Sequence, residues 1–163
     1  MFKFKPASWV PFKDQAELER CRNLTAEELV KHWNPDFRIK IVEDPRALFI
    51  ADCFTRIKMS DDLNKKLVMV FPNPWPIAYK AIAELISRFK VDCRNVHIFA
   101  MDEWADDDGN IAPITYKKGF SYSCLKYFYN KIDPKLRMPE KNFCYPTTEN
   151  IGDYSKMISD AGD

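Results

Sequence analysis

Apolar residues recur along this chain with two different periods, and the changes of period mark the elements. Residues 14–22 read as a short helix, and Thr25-Ala26-Glu27-Glu28 follows as a capping box, in which Thr25 and Glu28 satisfy each other's exposed amides. Phe37-Arg38-Ile39-Lys40-Ile41-Val42 alternates apolar with charged residues, the period of a half-exposed edge strand. Asp44-Pro45 starts a helix, because Asp caps free amides and Pro suits the first turn. Leu48, Phe49, Cys53, Phe54 and Ile57 form its apolar stripe, and it ends near Ser60-Asp61-Asp62.

Two unbroken apolar runs behave differently from these amphipathic segments. Leu67-Val68-Met69-Val70-Phe71 and Asn95-Val96-His97-Ile98-Phe99-Ala100-Met101 suit strands covered on both faces. The first stops at Pro72-Asn73-Pro74-Trp75-Pro76. Between the runs, Ala78, Ala81, Ile82, Leu85, Ile86 and Phe89 follow helical spacing, with Lys80, Glu84, Arg88 and Lys90 largely on the other side. Strand, helix, strand in that order implies a right-handed crossover and parallel neighbours. Phe120, Cys124, Leu125, Phe128 and Ile132 mark another helix, ended by Asp133-Pro134, and residues 153–159 begin a last one. The expected fold class is α/β: a layered, Rossmann-like, mostly parallel sheet with helices on both faces. Two buried strands need further strands beside them, so the sheet is expected to be incomplete in this chain. The expected organisation is one domain overall, with residues 1–62 a helical annex and edge strand packed on an α/β core over 63–163.

Composition narrows the function classes. A length of 163 residues allows a sizeable core without staples. Twenty-five Lys plus Arg against twenty-four Asp plus Glu leave no field to attract nucleic acid or an anionic membrane. Five widely spaced cysteines, without a C-x-x-C pair and with only His32 and His97 beside them, suit buried thiols in a reducing compartment and make a structural zinc site improbable. The charged start Met1-Phe2-Lys3-Phe4-Lys5-Pro6 is no secretory signal, and no run reaches the ~20 apolar residues of a membrane span, so the cytoplasm is expected.

Ligands of open parallel sheets bind beyond the carboxyl ends of the strands. One such end leads through Pro72 and Asn73 into a helix whose free amides could hold a phosphate; the other is Met101-Asp102-Glu103-Trp104. A carboxylate there is partly desolvated, which raises its proton affinity toward general acid–base work, so Asp102 and Glu103 are candidate catalytic residues; both also fit as caps of the next turn. Asp106-Asp107-Asp108-Gly109-Asn110 fails as an EF-hand, since the spacing puts Trp104 at the first ligand position, leaving a solvated acidic turn or Mg²⁺ shared with Asp102. His97, inside an apolar strand, reads as a core histidine. Tyr122, Tyr127, Phe128 and Tyr129 read as core and interface packing.

A buried strand ending in Met101-Asp102-Glu103-Trp104 resembles the signature of glucosamine-6-phosphate deaminases, in the superfamily that includes 6-phosphogluconolactonases. The order of Leu67 to Lys90, Thr115-Tyr116, Phe120 to Ile132, Asp133-Pro134 and Tyr145-Pro146 agrees with it, so the resemblance covers Leu67 to Asp163. It implies Asp102 as the base that moves a proton between adjacent sugar carbons, Glu103 as its neighbour, and Pro72, Asn73 and Tyr116 as substrate-binding positions. No cofactor and no metal are expected. The partner is a small sugar phosphate, not nucleic acid or membrane, and a homo-oligomer is compatible with it. Two departures stand out. Where the family has a Gly-rich, Thr-containing phosphate loop, this chain has Pro72-Asn73-Pro74-Trp75-Pro76, which lacks glycine's freedom and several amides. The family's Gly-rich segment with its ring-opening histidine would begin after Asp163, so the chain is expected to be an amino-terminal portion, inactive alone. The alternatives are a non-catalytic sugar-binding or regulatory module of the same fold, a sugar-lactone hydrolase, and Mg²⁺-dependent phosphoryl chemistry.

Overall fold

The computed structural model describes residues 13–72 and 74–162. Contacts divide the chain at Glu43 and Asp44 into two compact units. In the first, α1 (Gln15–Arg22) is capped by Asp14, whose carboxylate accepts from the amides of Ala16 and Glu17, and α2 (Ala26–Leu29) carries the expected Thr25–Glu28 capping box. No residue described in this unit is buried. The edge strand expected over Phe37 to Val42 is not formed: its alternation is present, but a strand exists only when a neighbouring strand takes up its amides and carbonyls.

The second unit is the α/β body. Helix α3 (Pro45–Asp62) starts at the Asp44 cap with Pro45 in its first turn. It belongs with this body. The physical reason is its apolar stripe: Cys53 and Ile57 lie in the main core and Phe49, Ile50 and Phe54 pack against it. Strand β1 (Leu67–Phe71), helix α4 (Pro76–Phe89) and strand β2 (Val96–Ala100) follow, forming the expected strand-helix-strand crossover. β1 and β2 are parallel, from Leu67 opposite Val96 to Phe71 opposite Ala100. α4 ends where Lys90 takes a left-handed conformation, φ 55°, and its amide returns to the Ile86 carbonyl.

The helix expected to run from Phe120 to Ile132 is shorter. α5 (Phe120–Tyr127) breaks at Phe128, φ −114° and ψ −76°, and a 3₁₀ turn over Tyr129–Lys131 carries the apolar stripe onward. Phe128 and Ile132 are nevertheless buried, so the core needs the stripe and tolerates the break. A two-residue strand, β3 (Phe143–Cys144), pairs in parallel with Ile98 and Phe99 and completes a three-stranded sheet in the order β1-β2-β3. Helix α6 (Tyr154–Gly162) closes the described chain.

Helices cover both faces. Alternate residues of a strand point to opposite sides. Ile98 joins Ile57, Ile82 and Ile86 in the main core, while its neighbour Phe99 meets the ring of Tyr154 in α6 at 5.8 Å. Full burial of each of these isoleucines is worth about 1.5–3 kcal/mol. Phe71, Tyr79 and Phe128 tie β1, α4 and the end of α5 together, with Phe71 stacked on Tyr79 at 5.3 Å and edge-on to Phe128 at 5.0 Å. At the amino ends of the strands, Asp61 accepts from the Asp92 amide at 2.9 Å and from Arg94 at 2.8 Å. The Asp92 amide above all, with Arg94, holds the Asp61 carboxyl below its ordinary range. These bonds leave the opposite, carboxyl edge of the sheet to the loops.

Candidate functional site

The carboxyl ends of β1 and β2 finish level. Phe71 lies opposite Ala100, and the Met101 amide donates to the Phe71 carbonyl at 3.0 Å, so the segments beginning at Pro72 and Met101 leave the sheet side by side. The same edge is pinned by a residue the sequence did not single out. The Tyr154 hydroxyl lies 2.8 Å from the Ala100 carbonyl and 3.3 Å from that of Cys144, donating to the ends of both β2 and β3. Nothing local marks Tyr154 for this task, since its partners come from two other elements.

Asp102 extends from this edge and is exposed. The partial desolvation expected of it is not supplied by the described residues. Its charge nevertheless reaches α4: burial first, then the neighbouring Cys124 and Asp102, push the Tyr79 hydroxyl above its ordinary pKa. Pro72 is half-buried beside the same edge, and Asn73 lies outside the described residues. The following helix has Trp75 at its cap position without a side-chain bond, and Pro76 in the first turn. Proline has no amide proton, so Pro72, Pro74 and Pro76 offer a ligand no donor.

Glu103 has a different task. Its Oε1 accepts from the amides of Trp104 at 2.9 Å and Phe120 at 3.0 Å, and its Oε2 accepts from the Ser121 amide at 2.7 Å. Burial pushes this carboxyl up, but the bonds from Ser121, Trp104 and Phe120 together hold it below the ordinary range. An anion among free amides at a helix start is favourable. Glu103 thus caps α5 from a distance, where the cap residue Gly119 has no side chain to do so. The close approach needs that glycine: a Cβ there would sit 2.9 Å from the Tyr116 carbonyl and 3.2 Å from a Glu103 oxygen. Of the two candidate catalytic carboxylates, Asp102 is left available and Glu103 is occupied.

The fold with this edge matches solved structures. One of them is a monomeric glucosamine-6-phosphate deaminase, described as a missing link of the NagB superfamily, with a TM-score of 0.58 and 13% sequence identity over 77% of this chain and 50% of that chain. The fold resembles that of a glucosamine-6-phosphate deaminase. At this identity the likeness concerns architecture alone, and the chain spans about half the length of that deaminase. No protein-family model and no curated protein matches the sequence.

In this deaminase-like fold, the segment after β2 forms a pinned loop. Ala105 and Ile111 bridge in antiparallel fashion, and the Ala112 amide donates to the Trp104 carbonyl at 2.8 Å. Asp106 holds the turn: its Oδ1 accepts from the amides of Asp108 at 3.1 Å and Asn110 at 2.8 Å, and its Oδ2 from the Asn110 side chain at 3.1 Å. Among the described residues no three His, Cys, Asp or Glu side chains gather as metal ligands. Tyr116 is drawn to this loop and lines a surface groove of about 370 Å³ with Trp104, Asp106, Asn110 and Ile111. The expected set is therefore split: strand pairing brings Pro72 and Asp102 to one edge, Tyr116 joins Trp104, and Glu103 turns to α5. His97 is half-buried. Burial first, then Lys66 and Lys141, lower its pKa, which favours the neutral ring. Among the described residues no helix is long and apolar enough to cross a membrane.

Proposed function

We propose that this chain carries the base-bearing part of a sugar-phosphate isomerase/deaminase acting on an amino sugar phosphate, with Asp102 as general base. The observation that carries the reading is the level, parallel ending of β1 and β2, which sets Asp102 at the carboxyl edge where open α/β sheets bind ligands. The likeness of fold to a glucosamine-6-phosphate deaminase supports the same substrate class. In such a reaction a carboxylate takes the proton from the amine-bearing carbon beside the carbonyl and returns it to the neighbouring carbon, and water then adds to the resulting imine carbon, so that the ketone forms and the amine leaves as ammonia. Asp102 is exposed and free of the cap bonds that occupy Glu103, so it can accept that proton. The reading needs no cofactor; its partner is a small sugar phosphate and its setting the cytoplasm.

The test is ammonia release and ketose formation from glucosamine 6-phosphate by the full-length protein. Turnover is expected, and Asp102→Asn should lower kcat by about 10²–10⁴-fold, the usual contribution of a general base. Absence of turnover with every amino sugar phosphate and keto sugar phosphate tried would sink the enzyme reading.

A second reading, a sugar-binding or regulatory module without catalysis, is favoured by one feature: the prolines at 72, 74 and 76 remove amides where a phosphate would be held. It predicts calorimetric binding of a sugar without turnover, unchanged by Asp102→Asn.

A further inference from the structure

The loop after β2 combines a fixed backbone with large aromatic side chains left open to water. Beyond the Ala105–Ile111 bridge and the Asp106 turn, the Ile111 amide donates to the Thr148 hydroxyl at 2.8 Å and the Tyr116 amide to the Pro113 carbonyl at 2.8 Å. Yet Trp104 is 54% exposed and Tyr116 44% exposed. Trp104 rests one side against Phe120, with ring centroids 4.9 Å apart and a tilt of 43°. Its ring and that of Tyr116 line the same groove. The groove's volume, about 370 Å³, falls within the ~300–1,000 Å³ range of small-molecule sites.

We infer that this groove is a subsite for an amino sugar ring, whose apolar face stacks on Trp104 and Tyr116 while its ammonium group meets Asp106. The inference rests on the proposed amino-sugar reading and assigns the ring contacts within it. Rigid aromatic faces with polar groups at the rim suit a ligand that has a C–H face and a hydroxyl edge. Asp106 supplies the charge. Asp106 is exposed, and bonds from Asp108 and Asn110 hold its carboxylate in place. The bond from the Asn110 side chain first, and the loop amides after it, hold Asp106 below its ordinary pKa, so it stays ionised at neutral pH. The exposed carboxylates Asp107 and Asp108 follow it, and this run favours a cation over an anion. A phosphate on the same sugar is accordingly directed away from Asp106.

The experiment is calorimetric titration of the full-length protein with glucosamine, glucose and glucosamine 6-phosphate at low salt. Glucosamine should bind more tightly than glucose by at least fivefold. Tyr116→Ala and Trp104→Ala should each weaken glucosamine binding at least tenfold, and Trp104→Phe should keep most of it. Circular dichroism verifies folding, and Tyr116→Ala, which removes no ring contact, decides the matter if Trp104→Ala unfolds. Binding indifferent to Tyr116→Ala and to Trp104→Phe, or equal affinity for glucose and glucosamine, would overturn the subsite. Turnover lost in Asp102→Asn but with KM unmoved by Tyr116→Ala would remove the groove and leave the enzyme reading standing; no sugar binding at all would remove both.

Discussion

Glu103 follows a base candidate in the chain and would be grouped with it by sequence, yet three backbone amides claim its oxygens. Neighbours in sequence here have opposite uses because β2 has ended and the backbone sends successive side chains to different surroundings. The physical consequence is a pH dependence. The folded-state pKa of Glu103 is depressed, so its contribution to stability is present above the unfolded value of about 4.3 and fades as pH falls through the folded one. Glu103→Gln should cost about 1–3 kcal/mol at pH 7, because a neutral amide serves the α5 amides poorly. In urea denaturation that deficit should shrink as pH drops below about 4; a deficit constant with pH would contradict the cap.

Among the elements, β1, α4, β2 and α3 were legible in the sequence almost to the residue. Buried strands write continuous apolar runs, α4 writes a helical stripe, and the prolines at 72 to 76 punctuate between them. β3 was not legible, because two residues carry no period, and it is a strand only through its bonds to Ile98 and Phe99. Phe37 to Val42 shows the converse: the period is there but no partner strand among the described residues makes it a strand. Tyr154 links these cases, since it fastens the ends of β2 and β3. Tyr154→Phe keeps the ring against Phe99 but removes the hydroxyl that serves two carbonyls. It should cost about 1–3 kcal/mol, seen as a lower urea midpoint with an unchanged slope; an unchanged midpoint would mean that the edge is held by other means.

At the scale of the whole molecule, the two units differ in what they bury. None of the described residues of the first unit is buried, whereas the second holds an aromatic and aliphatic core that includes Phe71, Tyr79, Phe128 and Ile98. Amides protected only by exposed turns open at little cost, and core strands open at a cost near that of global unfolding. Hydrogen exchange of the full chain should therefore be fast over residues 15–29 and slowest in β1, β2 and α4; comparable protection in both would contradict this reading. By itself the sequence determined the positions of α3, β1, α4 and β2, the parallel crossover and the edge that carries Asp102, because periodicity and proline breaks are local properties of the chain. Only the tertiary structure decided that Asp102 stays exposed, that Glu103 caps α5, that Tyr154 pins the sheet edge and that Trp104 shares a groove with Tyr116. Each of those outcomes depends on atoms brought together from distant parts of the chain, and the identities of neighbouring residues do not encode such meetings.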